Sequence, residues 1–437
     1  MSRAPSHAEN PGQIAELARE IRSGALTATA LLERYLARID AVEPHVEAWR
    51  LVARETARAE AAALDAEARA GRFRGPLHGI PVGIKDIIDV AGMTTLANSR
   101  SRADIAPARG DAEIVTALRL AGAVILGKTH TTEFACFDPS PARNPHRLAH
   151  TPGGSSSGSA AAVAAGMVPL SLGTQTVASV NRPAAYCGIA AFKPSTQSTC
   201  TAGVVALAPA FDTIGFYGAT VPDAVALFEA VAPAFENPAA LGAAPPVAPR
   251  TAQIVQLQDD VLQECDPEIL RAVGDVAAAL AASGHQLRKA ASVESFKRLF
   301  DIQLDAMRFE AHAIHGALRS APAGAVGPKF LEILAAGSAI TPEAYRDLRR
   351  QLAAARENFW RHFPNVDAIL FPATPKTAPE GLDWTGDPRY ISPWTALGGP
   401  IVTQPLGLHS NGLPIGMLLC SRPGTDPTLA RLACTLA

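Results

Sequence analysis

Apolar positions follow a helical spacing through the first seventy residues and then change period. "IAELAREIRSG" predicts an amphipathic helix ending at Gly24, "TALLERYLARIDAV" a second, and "ETARAEAAALDAEARAG" a third that stops at Gly71. The next stretch, "LHGIPVGIKDIIDVAG", is β-branched and apolar and predicts a buried strand. "DAEIVTALRLAGA" then reads as a helix and "VILG" as a short strand. A glycine-serine run, "PGGSSSGSAAAVAAG", leads into a helix from Ser159, and "MVPLSLGTQT" is strand-like, running into a loop. Later, "AQIVQL", "DAILFPAT", "GPIVTQPLG" and "PIGMLLC" predict strands that alternate with helices such as Glu268–Ala282 and Glu343–Phe363. Such alternation implies an α/β layered fold with a central mixed sheet. The most linker-like segment is Glu236–Arg250; strands on both sides of it leave two lobes or one continuous sheet open.

Composition narrows the function classes. Of the 437 residues 48% are apolar, enough for a sizeable core. A net charge of −2 and 5% aromatic residues argue against nucleic acid as a partner. No apolar run approaches the roughly 20 residues that span a bilayer, so no membrane role is expected. The polar N-terminus lacks the apolar core of a signal peptide. Six scattered cysteines without CxxC spacing read as reduced thiols, and the expected location is cytoplasmic.

Three motifs match chemistry that their context does not support. "GAVILGKT" fits the phosphate-loop pattern, yet a helix precedes it and its middle residues are apolar, so a buried strand is expected. "GSSSG" fits a nucleophile elbow, but "NPHRLAHTP" is no strand to feed one. "EAHAIH" sets His312 and His315 one helical turn apart near Glu310; with no third ligand, an ordinary helix face is the expectation.

Lys85 is different. Its neighbours Ile84, Ile87 and Ile88 take it partly out of water, which lowers an amine's pKa and makes it a usable base; the alternative is a lysine that snorkels from a strand end. Ser179 lies in a loop leaving an apolar strand, where a scaffold fixes reacting groups, although a serine there is ordinarily a turn residue. The combination of Lys85, the glycine-serine loop and Ser179 carries the case.

Those residues resemble the amidase signature enzymes. "GGSSSGSAAAVAAG" and "GTQTVASVNRPAAYCG" match the family's two loops, with Ser155 and Ser179 standing 24 positions apart (179 − 155). "GPLHGIPVGIKDIIDVAGMTT", "AGAVILGKT", "FKPS" and "SNGLPIGMLLCSRP" also look like family segments, so the resemblance covers essentially the whole chain. It implies a single amidase signature domain over 1–437, a central mixed β-sheet covered by helices on both faces. Its parts would be an N-terminal helical segment 11–71, a catalytic core of about 75–235 and a helical substrate-covering region of about 290–365.

The resemblance further implies a triad without histidine. Ser179 would be the nucleophile, Lys85 the base, and Ser155, its peptide bond held cis, the relay between them. Backbone N–H groups of Thr176, Val177, Ala178 and Ser179 are the oxyanion-hole candidates. Neutral Lys85 would take the Ser179 proton through Ser155 and return it to the leaving nitrogen, and water would hydrolyse the acyl-enzyme. No metal or organic cofactor is implied. Candidate substrate-binding residues are Phe134, Phe137, Gly154, Ser156 and Arg182. Arg182 would hold a substrate carboxylate or brace the loop, and Asp138 would meet an amine or solvate a turn.

Three positions depart from the family pattern. Gln175 stands in place of an acid, Val177 in place of glycine or alanine, and Asn181 in place of arginine. Gln175 and Asn181 would together replace an ion pair, and Val177 would be strained if its φ had to be positive. The expected activity is an amidohydrolase cleaving C–N bonds of small, linear, non-peptide amides, extending to carbamates and esters. The alternatives are an amidotransferase subunit releasing ammonia from glutamine, which needs partner subunits, and a catalytically weak binding protein of the same fold. The N-terminal helices are a candidate homodimer surface.

Overall fold

A computed structural model describes residues 14–232 and 251–436, so the linker-like segment Glu236–Arg250 and the first residues of the 11–71 segment lie outside the described residues. Among the described residues eleven strands form one sheet. They are β1 (Trp49–Val52), β2 (Pro81–Lys85), β3 (Val124–Thr129), β4 (Leu170–Gln175), β5 (Ala190–Lys193), β6 (Thr213–Gly218), β7 (Gln253–Gln258), β8 (Gln286–Ala291), β9 (Ala368–Pro372), β10 (Ile401–Leu408) and β11 (Pro414–Cys420). Their spatial order is β1-β3-β2-β4-β6-β5-β10-β11-β9-β7-β8. β2 runs parallel to both β3 and β4, whereas β4–β6, β6–β5 and β5–β10 are antiparallel, so the sheet is mixed. Strands from before and after the linker-like segment therefore pair within one sheet.

Strand periodicity explains the two-sided core, because alternate residues face opposite sides. Val82, Ile84, Leu170, Leu172, Ile214 and Phe216 belong to one buried cluster; Val124, Leu126, Ala191 and Tyr217 belong to another, with helix Ser157–Ala164. Helices cover both faces. All eight residues of Ser157–Ala164 are buried, and its small side chains let it lie close to its neighbours. A Cβ at Gly158 would sit 2.2 Å from the Ala48 carbonyl oxygen and 2.5 Å from the His130 nitrogen.

The run 77–92 is strand only over Pro81–Lys85. Beyond it the chain turns, with the N–H groups of Ile87 and Ile88 both donating to the Lys85 carbonyl. Asp86 anchors that turn in the interior, 3.0 Å from both Arg50 Nε and Lys128 Nζ. "GAVILGKT" supplies β3, buried along its whole length. On helix Phe296–His315, His315 Nε2 lies 2.7 Å from the Ala206 carbonyl and the Glu310 carboxylate accepts from the Ala210 N–H. Among the described residues no helix is long and apolar enough to cross a membrane, and no group of three or more His, Cys, Asp or Glu is placed to hold a metal. None of the six cysteines is in a disulfide.

Candidate active site

β2 and β4 are parallel neighbours whose C-terminal ends lie on the same side of the sheet, bringing Lys85 against Thr174. Lys85 is fully buried. Its Nζ lies 2.7 Å from Ser155 Oγ, 2.7 Å from Thr174 Oγ1 and 3.4 Å from the Thr174 carbonyl. Burial drives the amine's pKa well below its ordinary 10.5, and Asp212 opposes that drop only in part. A neutral amine with a hydroxyl at hydrogen-bond distance is the arrangement a general base requires.

The Gly154–Ser155 peptide bond is cis. Gly153 has φ +86°, and a Cβ there would lie 2.9 Å from Pro183 Cα, so glycine is needed both for the angle and for the close approach. The Ser156 N–H donates to the Ser179 carbonyl at 3.3 Å, stitching the glycine-serine loop to the loop that bears Ser179. Among the described residues the Ser179 hydroxyl has no hydrogen-bond partner, and Ser179 lines a narrow cleft.

The loop 175–180 is pinned through its side chains and carbonyls. Gln175 Oε1 accepts from the N–H groups of Val180 (2.8 Å) and Asn181 (3.1 Å), and its Nε2 donates to Thr395 Oγ1. Thr176 Oγ1 donates to Asp212 Oδ1 at 2.5 Å, and the Thr176 carbonyl accepts from Gln303 Nε2. The Val177 carbonyl accepts from Thr395 Oγ1. Helix Ser392–Leu397 holds Thr395 in place through Trp394, which packs edge-on against Phe296 and Phe359; each such pair contributes about 0.5–1.5 kcal/mol beyond its buried area. Among the described residues, the N–H groups of Thr176, Val177, Ala178 and Ser179 make no backbone hydrogen bond. Four consecutive unspent donors beside a hydroxyl at the floor of a cleft form a geometry suited to a developing oxyanion.

Phe137 and Arg182 line the cleft, together with Ala135, Cys136, Leu207, Met307 and Pro388. The other three substrate-binding candidates lie elsewhere. Phe134 is buried, stacked on Phe330 and tilted against His315. Gly154 is buried beneath Thr385 and Thr132. Ser156 Oγ donates to the Thr174 carbonyl and accepts from its N–H, both at 3.2 Å. Arg182 donates to the Gly386 carbonyl, the Gly154 carbonyl and Thr385 Oγ1, so it braces the loops; burial pushes its pKa down to about 10. Asp138 caps helix Pro328–Ser338, accepting from the N–H groups of Lys329 and Phe330.

The departures have local explanations. Gln175 and Asn181 do not pair side chain to side chain: Gln175 takes the Asn181 backbone N–H, and Asn181 Nδ2 donates to Thr403 Oγ1. One neutral amide therefore does the helix-capping work an acid would do, with no charge left to compensate. Val177 is not among the residues of positive φ, so its branched side chain sits on ordinary backbone. Sequence reasoning missed Thr174, Asp212, Gln303 and Met307. Thr174 alone left a local signal, one residue before Gln175 at a strand end; the others reach the site through long-range packing.

The family model described as Amidase matches residues 30–430. The chain is 34% identical to a Glutamyl-tRNA(Gln) amidotransferase subunit of Roseiflexus sp. (strain RS-1), covering 95% of this chain and 94% of that one. Native peptide amidase from Stenotrophomonas maltophilia superposes with a TM-score of 0.82 at 27% identity, covering 98% and 97% of the two chains. 6-Aminohexanoate cyclic dimer hydrolase superposes with a TM-score of 0.85 at 25% identity, covering 97% and 96%.

Proposed function

This chain belongs to the amidase family, and from that premise we propose that it hydrolyses C–N bonds of small linear amides through an acyl-enzyme on Ser179. The observation that carries the reading is a fully buried Lys85 with its Nζ 2.7 Å from Ser155 Oγ. Lys85, neutral because charging it in the interior is costly, takes the Ser155 proton as Ser155 takes that of Ser179. Ser179 Oγ then attacks the carbonyl carbon, and the negative charge on the carbonyl oxygen falls to the N–H groups of residues 176–179. The relay returns the proton to the leaving nitrogen, and water releases the acid by the reverse path. Esters and carbamates share this acyl route.

The second reading, ammonia release from glutamine, has support from the amidotransferase relatives. Glutamine carries an α-ammonium, and among the described residues that line the cleft there is no aspartate or glutamate to receive it. That favours the simple amidase. A fluorophosphonate probe tests the assignment. Labelling is expected in the wild type, lost in Ser179→Ala, and slowed in Ser155→Ala and Lys85→Met. Labelling that survives Ser179→Ala removes the acyl-enzyme. A panel of aliphatic amides, anilides, p-nitrophenyl esters and glutamine then separates the two readings, glutamine being the slowest substrate under the first.

A further inference from the structure

β6 runs beneath the Ser179 loop, and two of its residues on one face, Gly215 and Tyr217, meet that loop directly. A Cβ on Gly215 would fall 2.3 Å from Val180 Cγ2, so Val180 is seated on the bare backbone there. Tyr217 is fully buried. Its hydroxyl donates to the Val180 carbonyl at 3.0 Å and the Ser179 carbonyl at 3.3 Å. The Tyr217 ring and Ser156 Oγ both rest on Gly173, where a Cβ would lie 2.7 Å from the ring and 2.8 Å from Ser156 Oγ. The bare backbone of Gly173 thus lets the Tyr217 ring lie close to the residue after the relay serine, while the hydroxyl meets the nucleophile's own carbonyl.

We propose that Tyr217 is a positioning residue for acyl transfer, its hydroxyl fixing the backbone of the Ser179 loop on the sheet and so its distance from the Ser155 loop. The inference rests on the acyl-enzyme reading above. Packing alone does not call for the hydroxyl, since phenylalanine would fill the same volume and a buried phenol costs free energy unless it is bonded. Nor do its acceptors depend on it for satisfaction. The Ser179 carbonyl also receives the Ser156 N–H, and the Val180 carbonyl also receives the Ala184 N–H at 3.2 Å. What the hydroxyl adds is a link from the sheet to the nucleophile loop. The Ser179 hydroxyl has no hydrogen bond of its own among the described residues, so its approach to Ser155 depends on where its backbone is held. A misplacement of about 1 Å in such a centre costs on the order of 100-fold in rate.

The test is Tyr217→Phe, assayed with p-nitrophenyl butyrate, an aliphatic amide and a fluorophosphonate. The expected result is a kcat and a labelling rate lower by about 10- to 100-fold, with KM within about twofold and the acid limb of the pH profile unmoved. Tyr390→Phe is the control for general loosening, because that hydroxyl is also buried and donates to a carbonyl, that of Val261, outside the cleft. It should lower the melting temperature comparably and leave kcat in place. Gly215→Ala approaches the same loop from the other contact, lifting Val180, and should reproduce the kcat loss if Tyr217→Phe folds poorly. A Tyr217→Phe enzyme within about threefold of wild-type kcat, or a kcat loss matched by Tyr390→Phe at equal melting temperature, overturns the proposal. Labelling that persists in Ser179→Ala would instead strike the acyl-enzyme reading itself, which keeps the two failures apart.

Discussion

An ammonium at position 85 would face two hydroxyls and a carbonyl and, among the described residues, no carboxylate in ion-pair contact. The folded protein therefore releases that proton well before the unfolded chain does, whose lysine titrates near 10.5. Between those two points the unfolded state binds more protons, so stability rises with pH across the window. Lys85→Met removes the titration. Its melting temperature should gain on wild type at neutral pH and lose that advantage toward pH 10, while turnover falls by about 10²- to 10⁴-fold. A difference in melting temperature that stays constant with pH would mean that Lys85 is charged in the folded state. Val177 gives a second expectation at this scale. Because its φ is not positive, Val177→Gly relieves no strain, and kcat measured on an amide should not rise.

At the scale of elements, the placement of Lys85 depends on how β2 and β3 pair. Their parallel register sets Ile84 beside Lys128 and Lys85 beside Thr129, and Lys128 reaches Asp86, the residue that turns the chain after Lys85. Removing the carboxylate leaves a buried cation without its partner, so Asp86→Ala should cost about 3–5 kcal/mol in chemical unfolding. Pairing it with Lys128→Met should recover much of that loss; strict additivity of the two would show that no such coupling exists. The apolar run in "GAVILGKT" is enough to predict β3, and the alternation of strands and helices is enough for a mixed sheet. The ion pair is not readable, because Asp86 and Lys128 stand 42 positions apart (128 − 86) and meet only once the register is fixed. Proximity to the motifs makes Phe134, Gly154 and Ser156 look like cleft residues. They pack inward instead, Phe134 on Phe330, Gly154 against Thr385 and Thr132, and Ser156 on the Thr174 backbone.

Across the whole molecule, the cleft joins five stretches of chain: 135–137, 176–182, Leu207, Met307 and Pro388. The second contains the serine motif and the first holds Phe137, so these two are approachable from the sequence, Met307 only as part of a broad helical region, and Leu207 and Pro388 not at all. Met307 comes from helix Phe296–His315, within the region expected to cover the substrate, and the same helix carries Gln303. Gln303 grips the Thr176 carbonyl, so the helix that shapes the cleft also holds the oxyanion loop. The two roles should separate by mutation. Met307→Ala leaves Gln303 in place and opens space beside Ser179, so longer acyl chains should gain on shorter ones by about tenfold in kcat/KM, in keeping with the value of a methylene or two in an apolar pocket. Gln303→Ala should instead lower kcat on every acyl chain alike, because it frees the Thr176 carbonyl without changing the cleft's width. Measuring kcat/KM over a series of straight-chain p-nitrophenyl esters distinguishes them. A Met307→Ala profile parallel to wild type would place the acyl chain away from this helix.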